Sequence, residues 1–194
     1  MRIVGGRLSG RRFGAPSGKG TRPTSDRVRE ALGSALQSRN AFAGAHVLDL
    51  FAGSGALSFE ALSRGAAEAL LVDHDAQAIE EIKKSARELG LEDQARTLRI
   101  GLGGNPVGVV RKLPAPPEGF DLVFADAPYA AIESVPPLLA ALLAARKLAS
   151  GARIVVEHPV SHRWVWAKGL ASDADYRYGQ TQLSLGVYEA KGTQ

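Results

Sequence analysis

The feature that most constrains this chain is an apolar segment that leads into a tight glycine turn and then into a helical pattern. It reads Val-Leu-Asp-Leu-Phe-Ala-Gly-Ser-Gly-Ala-Leu over residues 47–57. Glycine adopts left-handed backbone angles at little cost, so Gly53 and Gly55 allow the main chain to turn sharply and to approach a ligand closely. The segment therefore predicts a strand, a turn and a helix, the repeating unit of a parallel sheet.

Short apolar segments alternate with helical patterns along most of the chain, which predicts an α/β fold whose parallel sheet is covered by helices on both faces. The predicted strands lie at residues 46–50, 69–73, 97–100, 122–125 and 153–157, with two further strand-like segments near 163–167 and 180–188. The predicted helices lie at residues 57–63, 76–89, 105–112 and 135–148, after a first helix that is capped by Thr24 or Ser25 and ends near residue 37.

The beginning of the chain is cationic. Lysine and arginine occupy eight of the first thirty positions, namely Arg2, Arg7, Arg11, Arg12, Lys19, Arg22, Arg27 and Arg29. Short apolar pieces split by glycines over residues 2–13 predict a small β-hairpin. We expect residues 1–20 to form a basic N-terminal extension and residues 21–194 to form the main domain. A phosphate-binding surface and a solvated leader both explain the charge.

Composition sets broad limits on the class of protein. The 194 residues suffice for one complete core, and the formal net charge of +4 is moderate. The chain has no cysteine, which excludes disulfides and thiolate metal sites. It has no apolar run long enough to span a bilayer, and residues 1–6 lack the apolar core of a signal peptide. We expect a cytoplasmic protein that does not associate with membranes.

Two pairs of ring-bearing residues occur near the end of the chain. His158 and His162 are spaced as metal ligands can be, but Pro159 stands between them and no third ligand is near, so we expect a surface turn and no metal. Trp164 and Trp166 alternate on the segment predicted as a strand. This alternation predicts packing on one face, with stacking on a nucleic-acid base as the alternative.

Carboxylates flank the glycine turn and indicate the kind of ligand it holds. Asp73 closes the second predicted strand, 73 − 53 = 20 residues after Gly53, where a carboxylate can accept both hydroxyls of a ribose. Dinucleotide and S-adenosylmethionine enzymes share that spacing. Asp49 precedes the glycines, where its charge would repel a pyrophosphate and attract an ammonium group. Ser58 stands where a dinucleotide motif has its third glycine, so a nucleoside cofactor of the methionine type is favoured.

A second motif, Asp126-Ala-Pro-Tyr129, follows the apolar segment at residues 122–125. Such a sequence is a common turn, but in this kind of sheet the fourth strand lies next to the first and the motif faces the glycine turn. The Asp126 carboxylate, with the Ala127 or Pro128 carbonyl, can accept the hydrogens of an exocyclic amine and direct its lone pair at a sulfonium methyl. Tyr129 can stack on the base that carries the amine.

Five segments of the sequence, together with a closing Tyr-Gly-x-Thr at residues 178–181, resemble the RsmD family of bacterial methyltransferases over nearly the whole chain. The segments are Met-Arg-Ile-Val-Gly-Gly at 1–6, Thr-Arg-Pro-Thr-Ser-Asp-Arg-Val-Arg-Glu-Ala at 21–31, the glycine turn at 47–57, Glu-Ala-Leu-Ser-Arg-Gly-Ala at 60–66 and Phe-Asp-Leu-Val-Phe-Ala-Asp-Ala-Pro-Tyr at 120–129. The glycine turn is generic to methyltransferases, whereas the segments at 21–31 and 60–66 are much more specific.

The resemblance implies a class I S-adenosylmethionine-dependent methyltransferase sheet, Rossmann-like, with a small N-terminal β-hairpin. It implies transfer of a methyl group from S-adenosylmethionine to the N2 amine of a guanine in 16S ribosomal RNA. The implied partner is ribosomal RNA or the small ribosomal subunit, and the implied state is a monomer without metal. The residues to which it assigns roles are Asp49, Gly53, Gly55 and Asp73 for the cofactor, Asp126, Pro128 and Tyr129 for catalysis, and Arg2, Arg11, Arg12 and Arg22 for RNA.

Three departures from the family pattern keep alternatives open. Ala127 replaces the first proline of an Asp-Pro-Pro-Tyr motif, residues 101–105 replace a segment with an Asp near the adenine, and Gly33 replaces a large aromatic. One alternative is an RNA-binding protein of methyltransferase fold with weakened or lost catalysis. Another is a DNA amine methyltransferase, although no separate target-recognition domain is evident. A nicotinamide oxidoreductase is disfavoured by Asp49.

Overall fold

The alternating pattern folds into a seven-stranded sheet with helices on both faces. The structure is a computed structural model and describes residues 1–14 and 25–190. Its elements in chain order are α1 (Asp26–Gln37), β1 (His46–Leu50), α2 (Ala56–Ser63), β2 (Glu68–Asp73), α3 (Ala76–Leu89), β3 (Ala95–Arg99), α4 (Pro106–Lys112), β4 (Phe120–Ala125), a 3₁₀ helix (Tyr129–Ser134), α5 (Val135–Ala144), β5 (Leu148–Pro159), β6 (Leu170–Tyr178) and β7 (Thr181–Tyr188).

The strand order is β3-β2-β1-β4-β5-β7-β6. The first five strands of that order are parallel, and the β6–β7 hairpin adds an antiparallel edge. Leu50 on β1 pairs with Val72 on β2 and with Ala125 on β4, so the carboxyl ends of these three strands lie side by side. The prediction that the first and fourth strands are adjacent in the sheet is confirmed. The order reverses between β1 and β4, where open α/β sheets bind their ligands.

The core consists of two clusters, one on each face of the sheet. Val47 of β1 packs into the cluster under α1, α2 and α3, and Leu48 and Leu50 pack into the cluster under α4 and α5. Strands that are buried on both faces read as continuous apolar runs, as β1 and β4 do. This packing fixes the register of β1 against β4 and therefore the height of the two motifs at their ends.

Most predicted elements are confirmed within two residues at their ends, but the predicted helix at 135–148 is too long and the predicted strand at 153–157 begins too late. Helix α5 ends at Ala144, and Arg146 adopts a left-handed backbone angle (φ 53°) before β5 begins at Leu148. The apolar residues 148–149 belong to the strand, because Leu148 pairs with Phe120 of β4 and both residues are buried. Composition alone does not separate the two elements here, since both are apolar.

The predicted strand at 163–167 is wrong, and the strand that pairs with β7 lies at Leu170–Tyr178. Residues 163–167 run as an irregular segment over the sheet. The ring of Trp166 lies against Gly186 of β7, where an added Cβ would come within 2.7 Å of the indole. The two tryptophans therefore face the sheet as covering side chains, which explains an alternating pattern without a strand.

Residues 1–14 form a hairpin-shaped loop that packs on the main core. One antiparallel bridge joins Arg2 to Arg12, and the Ile3 N–H donates to the Arg11 carbonyl at 2.9 Å. Ile3, Leu8 and Phe13 are buried in the same cluster as α1 and α2. The predicted hairpin is thus reduced to a single bridge. The predicted boundary at residue 20 lies outside the described residues and stays a prediction.

Within residues 1–14 and 25–190, no helix is long and apolar enough to cross a membrane.

Candidate active site

In the glycine turn after β1, three residues have left-handed backbone angles, and they occupy every second position. Phe51, Gly53 and Gly55 have φ angles of 64°, 54° and 75°. A left-handed angle costs a bulky residue such as Phe51 about 1–3 kcal/mol, and such positions cluster at functional sites. Gly55 is the N-cap of α2, and an added Cβ there would lie 2.9 Å from the Leu71 side chain. Gly55 is therefore required by packing as well as by backbone angle.

Gly53 differs from Gly55 in its surroundings. An added Cβ at Gly53 would meet only the carbonyl oxygen of Phe51, at 3.9 Å. The space beside Gly53 is open, so a ligand can approach the main chain there.

Asp49 is buried on β1 directly before the turn, with 2% of its surface exposed. The Ser58 hydroxyl donates to its Oδ2 at 2.7 Å. Burial raises the pKa of Asp49 to about 7; the charge of Asp73 acts in the same direction, and the hydrogen bonds from Ser58 oppose it. A cation bound beside Asp49 would favour the ionised carboxylate.

Asp73 ends β2 at the same edge of the sheet and is also largely buried. Its Oδ2 accepts from the Gly53 N–H at 2.8 Å, and its Oδ1 accepts from the Asp75 N–H at 2.9 Å. The His74 ring nitrogen Nδ1 lies 3.2 Å from Oδ1. The carboxylate is therefore fixed in position beside the glycine turn, and its remaining lone pairs can accept further donors.

The second motif forms a corner directly after β4. Asp126 is half-buried and Ala127 is 2% exposed, packed in the cluster of α4 and α5. Pro128 is extended (φ −50°, ψ 140°) and Tyr129 begins the 3₁₀ helix. Tyr129 is 53% exposed, with its hydroxyl 3.2 Å from the Thr181 hydroxyl of β7. Ala127 fills a buried position, and the effect of this departure from the family on the corner stays a prediction.

The arginines predicted to bind RNA have different surroundings. Arg2 is paired with Asp26 at 2.6 Å, and Arg11 donates to the carbonyls of Glu88 and Leu89 at the end of α3. Arg12 is exposed beside them. Arg22, with the rest of Thr21-Arg-Pro-Thr24, lies outside the described residues. Arg11 therefore caps a helix, whereas Arg12 is exposed and makes no ion pair within residues 1–14 and 25–190.

A buried ion pair that the sequence did not reveal holds this basic extension in place. Arg29 of α1 and Glu60 of α2 are 1% and 4% exposed, with 2.9 Å between Nη1 and Oε1. Glu60 also accepts from the N–H groups of Val4 and Gly5 at 2.5 and 3.2 Å. Burial raises the pKa of Glu60, while these donors and Arg29 lower it. The signal in the sequence was a carboxylate within an otherwise apolar, buried helix.

The segment at 60–66 is more specific to the family than the glycine turn because it contacts the basic N-terminal extension at several points. The Ser63 hydroxyl accepts from the Leu8 N–H at 2.9 Å and donates to the Gly5 carbonyl at 2.6 Å. The Arg64 guanidinium fills the space beside Gly33, where an added Cβ would come within 2.6 Å of it. Gly33, a departure from the family, therefore accommodates Arg64 in this chain.

The segment at 101–105 was expected to weaken adenine recognition. Asn105 caps α4, because its Oδ1 accepts from the Val107 N–H at 3.0 Å, and Leu102 is buried. The segment serves helix α4 and the core, and its effect on a cofactor stays a prediction.

The prediction of a surface turn at the two histidines is wrong for His158. His158 lies on β5, is 1% exposed and has its Nε2 2.9 Å from the Ser184 hydroxyl. It faces the core because it follows Val156 at the two-residue period of the strand. In the described part of the chain, no cluster of three or more His, Asp or Glu side chains could hold a metal ion.

Comparisons with known proteins agree with this geometry. A family model described as conserved hypothetical protein 95 matches residues 1–187. Over 129 residues, 66% of this chain, the sequence is 37% identical to "Ribosomal RNA small subunit methyltransferase D" of Escherichia coli and 36% identical to "Putative rRNA methyltransferase YlbH" of Bacillus subtilis. These alignments cover 60% and 67% of the relatives' own lengths.

Solved structures extend the likeness to the whole chain. A structure from Escherichia coli described as "Putative methyltransferase yhhF" has a TM-score of 0.80 and 32% identity, covering 98% of this chain and 99% of that one. An RNA methyltransferase from Salinibacter ruber, solved with S-adenosyl-L-homocysteine, shares the fold at a TM-score of 0.62 and 16% identity, over 89% of this chain and 97% of that one. The predicted class I methyltransferase fold is confirmed. The chain belongs to the family described as conserved hypothetical protein 95, which is the RsmD family that its motifs resemble.

Proposed function

We propose that this protein transfers a methyl group from S-adenosylmethionine to the N2 amine of a guanine in small-subunit ribosomal RNA. The observation that carries the proposal is the position of two motifs at neighbouring strand ends. The glycine turn with its buried acids follows β1, and the Asp126–Tyr129 corner follows β4, which is paired with β1. Relatives named as ribosomal RNA small subunit methyltransferases support the choice of substrate.

The residues at the end of β1 and β2 fit a nucleoside cofactor with a cationic tail. The open space beside Gly53 admits the ligand to the main chain. Asp73, fixed by backbone donors, accepts the ribose hydroxyls. Asp49 provides a buried negative charge near the turn, and its raised pKa means that it is easily neutralised until a cation binds. When bound, S-adenosylmethionine supplies a methyl carbon on a positively charged sulfur that leaves as a neutral thioether.

The corner after β4 prepares the amine. The nitrogen lone pair of a guanine amine is delocalised into the ring, which makes it a poor nucleophile. Asp126, with the backbone carbonyl of Ala127 or Pro128, accepts the two N–H groups and holds the lone pair out of the ring plane. Tyr129 stacks on the base, a contact worth about 1–3 kcal/mol. As the N–C bond forms, an amine proton passes to Asp126 or to water, and most of the rate comes from positioning.

Methyl transfer from labelled S-adenosylmethionine tests the proposal. The purified protein is offered naked small-subunit RNA and, separately, small subunits from cells that lack it, and the nucleosides are analysed by mass spectrometry. We expect N2-methylguanosine at one position in at least one substrate, and none with Asp126→Ala. No label in either substrate, from folded protein that binds the cofactor, would refute the proposal. The predicted monomeric state and cytoplasmic location stay predictions.

A further inference from the structure

A cavity lies beside the Asp126–Tyr129 corner, over the end of β5 and the β6–β7 hairpin. Its volume is about 510 Å³, within the range of about 300–1,000 Å³ that is usual for sites that bind small molecules. The side chains that matter for its chemistry are His162, Arg163, Trp164, Trp166, Asp175 and Gln182. None of them belongs to the glycine turn or to the Asp126–Tyr129 corner.

The cavity is connected to the catalytic corner by two contacts. The Tyr129 hydroxyl lies 3.2 Å from the Thr181 hydroxyl, next to Gln182 of the cavity wall. The His162 ring lies 3.6 Å from the Glu133 carboxylate, in the 3₁₀ helix that begins at Tyr129. Because neighbouring strands are about 4.8 Å apart and β7 runs antiparallel to β5, the start of β7 lies roughly 10 Å from the end of β4. A nucleotide next to the target base reaches that distance.

The walls of the cavity carry aromatic rings. Trp164 stacks on His158 with ring centres 5.6 Å apart, and Trp166 meets Trp164 edge to face at 5.4 Å. The absence of a side chain at Gly186 allows the Trp166 ring to lie against the sheet. Base stacking on such rings tolerates any sequence, since every base has a π face.

Polar groups in the cavity match the edge of a base. The Asp175 carboxylate accepts from the Ser184 hydroxyl at 2.5 Å, and Gln182 lies beside them with its Nε2 3.4 Å from Ser184. The Trp164 Nε1 is buried and has no acceptor among the described residues. Because that nitrogen is not exposed to the cavity, the groups that can meet the edge of a base are the Asp175 carboxylate and the Gln182 side chain.

Positive charge lies at the rim. Arg163 is exposed, and within residues 1–14 and 25–190 it makes no ion pair. Arg177 is also exposed and shares the sheet face of Asp175 on β6. Rings that stack on bases beside cations that contact phosphates are the combination by which proteins bind single-stranded RNA.

We propose that this cavity, defined by Arg163, Trp164, Trp166 and Gln182, binds an unpaired nucleotide adjacent to the target guanine. The proposal rests on the proposed function for the nature of the target. The neighbouring base stacks on the tryptophans, its edge meets Gln182 and Asp175, and its phosphate contacts Arg163. The cavity thereby holds the RNA strand open while the target base lies at Tyr129.

Tryptophan fluorescence tests this directly, because the chain has only two tryptophans and both line the cavity. The wild-type protein is titrated with a short single-stranded RNA that contains guanine, and with the same RNA as a duplex. We expect the single strand to change the emission more than the duplex. Arg163→Ala keeps both tryptophans and should reduce the dependence of log affinity on log salt by about 0.7, the value for one phosphate contact with a single strand. Arg96→Ala, on the far edge strand β3, is the matched control and should leave the slope unchanged.

Steady-state methyl transfer separates this proposal from the proposed function. Trp164→Ala should raise the KM for RNA by about 5- to 150-fold, the factor that corresponds to ~1–3 kcal/mol of base stacking, with Trp164→Phe closer to wild type. Suppose that the RNA is bound and methylated, that tryptophan emission does not change, and that Arg163→Ala and Arg96→Ala have the same salt slope. This result overturns the cavity proposal and leaves the proposed function standing. Emission changes and an Arg163 effect without methylation of any RNA support the cavity and refute the function. Failure to bind single-stranded RNA overturns the cavity proposal.

Discussion

The carboxylate of Asp73 accepts a hydrogen bond from the backbone N–H of Gly53, with 2.8 Å between nitrogen and Oδ2. This bond ties the end of β2 to the turn that follows β1. The same carboxylate is the group proposed to accept the ribose hydroxyls. One side chain therefore both positions the turn and contacts the ligand, and its removal is expected to affect both.

Asp73→Ala should weaken S-adenosylmethionine binding by about 1–3 kcal/mol, the range for hydrogen bonds to a charged group, and should lower the Tm because Gly53 loses its acceptor. Calorimetry measures the affinity. Asp75→Ala is the control, since Asp75 caps α3 through the Gln77 N–H and its loss should cost about 0.5–2 kcal/mol of stability without changing affinity. Unchanged affinity in Asp73→Ala would remove Asp73 from the proposed site.

Asp49 should make the protein less stable as the pH rises. Its pKa of about 7 in the folded protein lies above the ordinary value of 3.8, so the folded state holds a proton that the unfolded state releases between these values. Stability from this group is therefore fully present below about pH 4 and is lost progressively as the pH rises to about 7. Asp49→Asn removes the titration. In urea unfolding, the free energy of unfolding of the variant should rise relative to that of the wild type between about pH 5 and about pH 8. The variant should also bind the cofactor more weakly than the wild type.

An Asp49→Asn variant whose stability relative to the wild type is the same at both pH values would show that the carboxylate does not titrate in this range. Ser58→Ala offers an independent check. It removes the hydroxyl that favours the ionised form, so it should increase the pH dependence rather than abolish it.

Turnover should depend on Asp126 and Tyr129 in a specific order. Asp126→Ala should cripple methyl transfer while sparing the fold and cofactor binding, and Asp126→Asn should retain more activity because it keeps an acceptor oxygen. Tyr129→Phe keeps the stacking face and should be mild, whereas Tyr129→Ala should cost about 1–3 kcal/mol of transition-state binding. Turnover and Tm are measured for all four.

A purely structural corner predicts a different result for these variants. Asp126→Ala would then lower Tm and activity together, and Tyr129→Phe would have an effect through the lost bond to Thr181. A fully active Asp126→Ala enzyme would end the proposed mechanism.

The buried pair of Arg29 and Glu60 should be among the costliest polar groups to remove. Arg29→Met leaves the buried Glu60 charge with Arg64, at 3.6 Å, as its remaining counter-charge among the described residues, and should destabilise the protein by up to about 3–5 kcal/mol. Adding Glu60→Gln, which removes that charge and keeps an acceptor for Val4, should recover part of the loss. Urea unfolding measures both. Glu80→Ala breaks the exposed pair with Lys83 and should cost far less stability than Arg29→Met. If breaking the Arg29–Glu60 pair and breaking the Glu80–Lys83 pair lowered the free energy of unfolding equally, this account would be contradicted.

Arg12 and Arg11 should differ in their effects on RNA binding. Arg12→Ala should lower RNA affinity and flatten its salt dependence, because one phosphate contact is lost. Arg11→Ala should mainly lower the Tm, because Arg11 caps the end of α3. Filter binding at several salt concentrations, with Tm measurements, tests both. An unchanged salt slope in Arg12→Ala would mark the basic extension as a solvated surface.

The glycine turn and the corner after β4 were predictable because each combines a local backbone requirement with a place at a strand end. The Arg29–Glu60 pair was not, since the two residues meet only after α1 and α2 pack together. The segment at 163–167 was misread because an irregular segment that covers a sheet buries alternate side chains as a strand does. The end of α5 was misplaced because the helix and the next strand are equally apolar.

The position of β1 between β2 and β4 has a consequence for the folding of the chain during its synthesis. β2 is complete at residue 73, whereas β4 is not complete until residue 125. A chain emerging from the ribosome can pair only one edge of β1 in that interval, and the other edge exposes an apolar strand with unpaired backbone groups. The turn that we propose to bind the cofactor follows this half-paired strand. The interval between the two strands is therefore the time at which the nascent chain is most open to aggregation and to chaperones.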